Sequence, residues 1–219
     1  MKSSLTIFAK RPVAGRVKTR LTPPLSPEEA AELYSRMLQD TLAKAGEIAA
    51  DLHCLFYDDE PQALPFFQQA APGFQLAPQK GANLGERMAN AFASQFSHGI
   101  DVAAIIGSDS PHLPAPLISE AIDRLQRPEI DVVFGPSTDG GYYLVAMKRL
   151  HHELFREIPW STGEVLRISL ERAAREGIRV YLLRQWHDVD TAEDLQRKEL
   201  LDETNGAPMT RGFLTGRHR

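Results

Sequence analysis

A single cysteine, Cys54, in 219 residues excludes an intrachain disulfide framework and any multi-cysteine metal site. Its neighbours, Leu52-His53-Cys54-Leu55-Phe56, are those of a strand, so the thiol reads as buried and inert. Positive charge is not in excess either: 25 Lys and Arg stand against 29 Asp and Glu, a formal net charge of −4, which argues against a nucleic-acid or anionic-membrane surface. No apolar run approaches the roughly 20 residues of a membrane span, and the N-terminal run is too short for a signal peptide. A cytoplasmic protein is the expectation. With 42% hydrophobic residues and no internal repeat or long linker, residues 1–201 read as one domain with a sizeable core.

Against this acidic background one loop is strongly basic. Lys10, Arg11, Arg16, Lys18 and Arg20 follow directly on the strand-like run Leu5-Thr6-Ile7-Phe8-Ala9. Pro12 and Gly15 break regular structure there, leaving backbone N–H groups free to face an anion, while the cations add charge-assisted hydrogen bonds. Five cations crowded at a strand end repel one another unless an anion is expected, so the loop reads as a phosphate grip for a nucleotide.

Strand-like and helix-like segments alternate along the chain, the pattern of a parallel sheet with helices on its faces. Ser26-Pro27-Glu28-Glu29 is a capping box opening a helix over 27–49, whose face of Ala30, Leu33, Tyr34, Met37, Leu38, Leu42, Ala45 and Ile48 reads as core. Strands are expected over 52–57, 102–106, 131–135, 142–147 and 179–186. Helices are expected after Pro61 and over 83–96 and 114–127, then from a second capping box, Ser161-Thr162-Gly163-Glu164, to about Glu176, and from a Thr191 cap to about Leu201. From Asp202 to Arg219 periodicity disappears, which predicts a poorly ordered tail whose Arg217, His218 and Arg219 are solvated.

In an open parallel sheet ligands bind beyond the carboxyl ends of the strands. Two acidic loops fall there. Gly107-Ser108-Asp109-Ser110-Pro111 follows the central strand, and His187-Asp188-Val189-Asp190-Thr191 follows the last one. Parallel strands bring Asp109 and Asp190 to the edge that carries Lys18, and two carboxylates facing a phosphate site are a minimal cradle for Mg²⁺ or Mn²⁺. The competing roles are an Asx-turn for Asp109 and a helix N-terminal acid for Asp190.

Three other segments admit two roles each. Asp139-Gly140-Gly141 is the signal of a tight hairpin, and its glycines also allow a ligand to approach while Tyr142 stacks on it. Asn83 and Arg87 suit either a helix start or contacts to a base or phosphate. Trp160 suits packing or a lid over the substrate.

Together Phe8 to Leu21, Asn83 to Met88, Gly107 to Pro111, Gly135 to Tyr143, Pro159 to Thr162 and Asp188 to Thr191 resemble the bacterial radical-SAM/selenodomain-associated transferases of the nucleotide-diphospho-sugar transferase (GT-A) superfamily. The resemblance covers nearly all of the chain to about residue 200. More distantly, the Gly-x-Asp-x-Pro loop and the Asp-x-Asp-Thr ending are similar to phospholactate and molybdenum-cofactor guanylyltransferases. These likenesses imply a three-layer α/β/α GT-A fold, metal-ligand roles for Asp109 and Asp190 and a phosphate role for Lys18. The leading expectation is transfer of a sugar from a nucleoside diphosphate sugar to an acceptor. The alternatives are nucleotidylyl transfer from a triphosphate, which five cations suit, and a nucleotide-binding module without turnover.

Overall fold

The computed structural model describes residues 1–216. In chain order the regular elements are β1 (Ser3–Ala9), α1 (Pro27–Glu47), β2 (Leu52–Tyr57), α2 (Ala63–Ala70), β3 (Gln75–Pro78), α3 (Leu84–Ser97), β4 (Val102–Gly107), α4 (Ala115–Leu125), β5 (Val132–Pro136), β6 (Tyr142–Met147), α5 (Val165–Arg175), β7 (Val180–Leu182), α6 (Lys198–Leu201) and α7 (Pro208–Gly216). The strands form one sheet of order β3-β2-β1-β4-β6-β5-β7. Every pairing is parallel except the two made by β6. The β5–β6 hairpin reverses the chain once, so β5 and β7 again run with β4, and the carboxyl ends of β1, β4 and β7 share one edge.

The central strands carry apolar side chains on both faces because both are covered. On one side Leu38 and Leu42 of α1, Phe67 of α2 and Ile118 of α4 pack over Leu5, Ile7 and Leu55. Met88 and Phe92 of α3 and Ala173 of α5 close the other over Phe134 and Val145. The capping box of α1 forms as expected, with Glu29 N–H donating to Ser26 Oγ at 3.1 Å and Ser26 N–H to Glu29 Oε2 at 2.7 Å.

The departures from expectation have local causes. Strand β3 was not anticipated: it is a four-residue edge strand, half-exposed and carrying Pro78 at its end. The last strand is shorter than 179–186, with β7 ending at Leu182 and Trp186 rejoining the sheet only through a bridge to Ser137. Ser161 does not cap α5; its φ of 66° is left-handed and the helix begins at Val165. The expected poorly ordered tail is replaced by α7, which packs Leu214 against Leu33 and Met37 of α1. Its start is held by the buried Asp40 carboxylate of α1, which accepts from Met209 N–H at 3.0 Å and from Thr210 N–H and Oγ1 at 2.8 and 2.7 Å. A cap supplied from α1 leaves no signal near the helix it caps. Arg217, His218 and Arg219 lie outside the described residues.

Candidate active site

Three loops at the shared edge meet over a cleft of about 740 Å³. The loop after β1 delivers Lys18, that after β4 delivers Asp109, and that after β7 delivers Asp190. Lys18 Nζ lies 2.8 Å from Asp190 Oδ1 and in direct contact with the Asp109 carboxylate. The Lys18 side chain is 3% exposed, whereas those of Asp109 and Asp190 are 49% and 40% exposed. Burial alone would lower the Lys18 pKa, but the two carboxylates outweigh it and raise the pKa above the usual lysine value. The ammonium is therefore a fixed positive charge.

Asp190 is not the cap of the following turn. The turn begins at Asp194, whose carboxylate reaches back to accept from Thr191 N–H and Oγ1 at 2.8 Å and from Asp190 N–H at 3.0 Å, while the Asp190 carboxylate faces the cleft. Thr191 is thus capped rather than capping, and a 3-10 turn at Asp194–Gln196 precedes α6.

Two side chains of this wall were missed. Asp188 stands two residues before Asp190, an alternation that puts both on one side of an extended segment. It lines the cleft, accepting from Ser110 Oγ and, at 3.3 Å, from Ser137 Oγ. Burial, then the charges of Asp109 and Asp190, push its carboxyl up to about 6. Tyr34, read only as a core position of α1, places its hydroxyl 2.7 Å from Ser108 Oγ and accepts from Lys10 N–H at 3.0 Å. Burial and the Asp109 charge push its phenol up to about 12, so it stays neutral while it joins the first two loops. No signal in the α1 pattern separates this tyrosine from its apolar neighbours.

The opposite wall is the β5–β6 hairpin and the loop before α5. Asp139 Oδ1 accepts from Gly141 N–H at 2.9 Å, and Ser137 N–H donates to Gly141 O at 3.0 Å, closing the expected hairpin. Gly140 (φ 88°) allows a close approach, but to protein: a Cβ there would lie 2.1 Å from Gly163 O. Tyr142 lines the cleft and meets Trp160 edge-on at 6.4 Å. Trp160 also packs against Gly85 at the start of α3, where a Cβ would lie 2.7 Å from the indole. Packing and cleft lining are thus both filled by this one residue.

Not all the cations of the basic loop remain available. Arg11 and Arg16 both pair with Glu60, at 2.8 and 2.6 Å, so the loop's crowding is relieved in part by a carboxylate from beyond β2. Arg11 faces a smaller lobe of about 410 Å³ beside the main cleft, which it shares with Lys10, Asp58, Gln79 and Arg87. Arg87 lines both lobes, with Nη1 2.7 Å from Asp58 Oδ1. Lys10, Arg16, Lys18 and Arg20 line the main cleft. Gly15 (φ 73°) shapes the turn closed by Arg16 N–H to Val13 O at 3.0 Å. Asn83 does not line either lobe: it is the N-cap of α3, accepting from Glu86 N–H at 3.0 Å.

Residues 41–162 match the family described as an uncharacterized protein conserved in bacteria, DUF2064. The chain belongs to that family. The fold matches a protein from Desulfovibrio desulfuricans G20, described as a candidate nucleotide-diphospho-sugar transferase, at 30% identity and a TM-score of 0.86, covering 99% of this chain and 98% of the other. More distant solved structures share the fold alone. A cytidylyltransferase from Leptospira borgpetersenii serovar Hardjo-bovis is 11% identical at a TM-score of 0.61, covering 100% and 95% of the two chains. The glucosyl-3-phosphoglycerate synthase of Mycobacterium tuberculosis, solved with Mn²⁺, UDP and glucosyl-3-phosphoglycerate, is 12% identical at 0.56, covering 99% and 79%. No curated protein matches the chain. The three-layer, mostly parallel sheet of this DUF2064 chain is thus of GT-A type. Among the described residues no helix is long and apolar enough to cross a membrane.

Proposed function

We propose that this chain is a metal-assisted transferase acting on a nucleotide-activated donor, and that it moves a sugar from a nucleoside diphosphate sugar to an acceptor. The observation that carries this reading is the convergence of one buried ammonium and two half-exposed carboxylates on one wall of the cleft. Asp109 and Asp190 already share a cation, Lys18 Nζ, so their oxygens suit Mg²⁺ or Mn²⁺, with water and phosphate completing the shell. An ion bound there would neutralise charge developing on the leaving diphosphate.

The chain's own groups supply the rest. Lys18, Lys10 and Arg20 donate to phosphate oxygens, and the Tyr34 hydroxyl holds the loops of Lys10 and Asp109 at fixed spacing. Asp139, Gly141, Tyr142 and Trp160 face them across the cleft, where the sugar and acceptor meet. The D. desulfuricans relative, and the M. tuberculosis enzyme solved with Mn²⁺ and UDP, support the reading by analogy of fold.

Nucleotidylyl transfer is the second reading, favoured by the cationic lining of the cleft and by the fold shared with a cytidylyltransferase. The ion pairs of Arg16 with Glu60 and of Arg87 with Asp58 reduce the charge left for a triphosphate, which favours a diphosphate donor. A module without turnover needs cations but no pair of open carboxylates. Incubation with nucleoside diphosphate sugars and with nucleoside triphosphates, in Mg²⁺ or Mn²⁺, separates the readings by product. Slow release of nucleoside diphosphate supports glycosyl transfer; pyrophosphate release replaces it with the second reading; no turnover of any donor despite nucleotide binding leaves the module.

A further inference from the structure

Lys18 occupies the place where a cation would sit. Its ammonium bridges Asp109 and Asp190, and the side chain is almost wholly enclosed. The backbone at Lys18 is left-handed (φ 49°, ψ 37°), a conformation an L-residue holds only when its surroundings fix it. They do so from both sides. Val17 packs on Ala31 and Tyr34, and the fully buried Leu21 returns its N–H to Lys18 O at 2.9 Å. Among the described residues no group of three His, Cys, Asp or Glu side chains is arranged to hold a metal ion. A bare divalent cation therefore meets two carboxylates whose charge is already half neutralised, and must displace a tethered competitor to reach them.

We propose that Lys18 is a built-in counter-ion that keeps the cation site closed until a nucleotide phosphate draws its ammonium away, so that nucleotide and divalent cation bind in mutual dependence. This rests on the reading of Asp109 and Asp190 as cation ligands. The exchange keeps every charge paired. Before binding, one ammonium serves two carboxylates; afterwards it serves phosphate oxygens, which its three N–H donors suit, and the carboxylates pass to the divalent ion. Without phosphate, moving Lys18 would strand a buried ammonium, an arrangement that is strongly unfavourable. Without the ion, moving Lys18 would leave Asp109 and Asp190 facing each other beside Asp188 on the same cleft wall, three carboxyl groups with no cation among them. Neither ligand is well accommodated alone. Water near the cleft is thereby denied a loaded metal until a donor is present.

The test is Mn²⁺ binding followed by water-proton relaxation, which reports macromolecule-bound Mn²⁺ without any turnover. Wild type is titrated with Mn²⁺ alone and then with each of UDP, GDP, ADP and CDP, beside Lys18→Met and Lys18→Gln, with circular dichroism to establish folding. The expected result is weak binding of Mn²⁺ alone to wild type and binding tightened about tenfold or more by at least one nucleotide. The folded Lys18 variant should bind Mn²⁺ alone about tenfold more tightly than wild type does, because its carboxylates are no longer served. Equal Mn²⁺ affinity in wild type with and without a nucleotide that binds would overturn the interlock and leave the cation site standing. Lack of Mn²⁺ binding under every condition would remove both. The wild-type comparison decides the matter even where neither Lys18 variant folds.

Discussion

The backbone N–H of Val189 donates to the carbonyl of Asp109 at 2.9 Å, lacing the loop after β4 to the loop after β7. This main-chain bond ties together the two loops that carry Asp109 and Asp190, and the Lys18 ammonium in contact with both carboxylates holds the side chains. A ligand pair on loops so tied loses little freedom when a cation arrives, which is the arrangement a preorganised site requires.

Asp190 and Asp194 are expected to separate by function. Asp194 has a 10% exposed side chain and gathers three donors besides Arg197; burial opposes ionisation, but these partners hold its carboxyl at about 2. Asp194→Asn should cost about 1–3 kcal/mol of stability. Asp190→Asn leaves Lys18 paired with Asp109, and its exposure weakens what is lost, so the cost should stay below about 1 kcal/mol. Urea denaturation of the two variants, with Mn²⁺ and nucleotide titrations beside it, checks the pair. Asp190→Asn should be the one that loses cation binding.

Gly140→Ala should destabilise the hairpin by about 2–4 kcal/mol, since φ is positive and the new Cβ would meet Gly163 O at 2.1 Å. The same substitution at Gly163, whose Cβ would lie 3.4 Å from Asp139 O, should be far milder. Thermal melts of the two variants test whether the approach of these loops, rather than glycine itself, is what matters.

Tyr34→Phe removes the acceptor of Lys10 N–H and the partner of Ser108 Oγ without changing the ring. The buried Ser108 hydroxyl and the partly buried Lys10 N–H then lose this partner, and stability should fall by about 1–3 kcal/mol, read from chemical denaturation. Nucleotide affinity measured by calorimetry should fall as well, because the loops carrying Lys18 and Asp109 lose their spacer.

Acid should destabilise the protein from about pH 6.5 downward. His112 Nε2 and His187 Nε2 face each other at 2.8 Å, and burial lowers both pKa values, that of His112 to about 3. Lys44 and Arg197 oppose a charge there, while Asp194 and Glu199 favour one. The folded state therefore binds fewer protons than the unfolded chain between the ordinary histidine value and about pH 3. Asp188 works the other way. Its raised pKa means that stability is regained as pH falls through about 6, offsetting part of the loss. His151, whose pKa burial also lowers, adds to the loss, so the histidines together set the direction of the limb and Asp188 opposes them. His112→Phe should flatten this limb in denaturation midpoints between pH 7 and 5, and Asp188→Asn should steepen it.

The sequence made the strand ends legible because the parallel strands are short apolar runs bounded by loops with unusual residues, and the edge they share follows from strand direction alone. Lys18, Asp109 and Asp190 could be placed together on that basis. What escaped depends on partners distant in the chain: Glu60 drawing off Arg11 and Arg16, Asp40 capping α7, and the Tyr34 hydroxyl reaching two loops. Asn83 and Asp190 each carried two readings that local sequence cannot separate. In the structure the Asn83 side chain accepts from Glu86 N–H at the start of α3, and that of Asp190 contacts Lys18, placements that depend on side-chain direction.

The most direct measurement is a crystal of the protein grown with Mn²⁺ and a nucleoside diphosphate, examined for anomalous scattering at the manganese edge. The account predicts one Mn²⁺ peak bound by oxygens of Asp109 and Asp190, with a diphosphate oxygen on it and Lys18 Nζ turned from the carboxylates onto phosphate. A nucleotide seated in the cleft with Lys18 still bridging Asp109 and Asp190, and no manganese beside them, would contradict it.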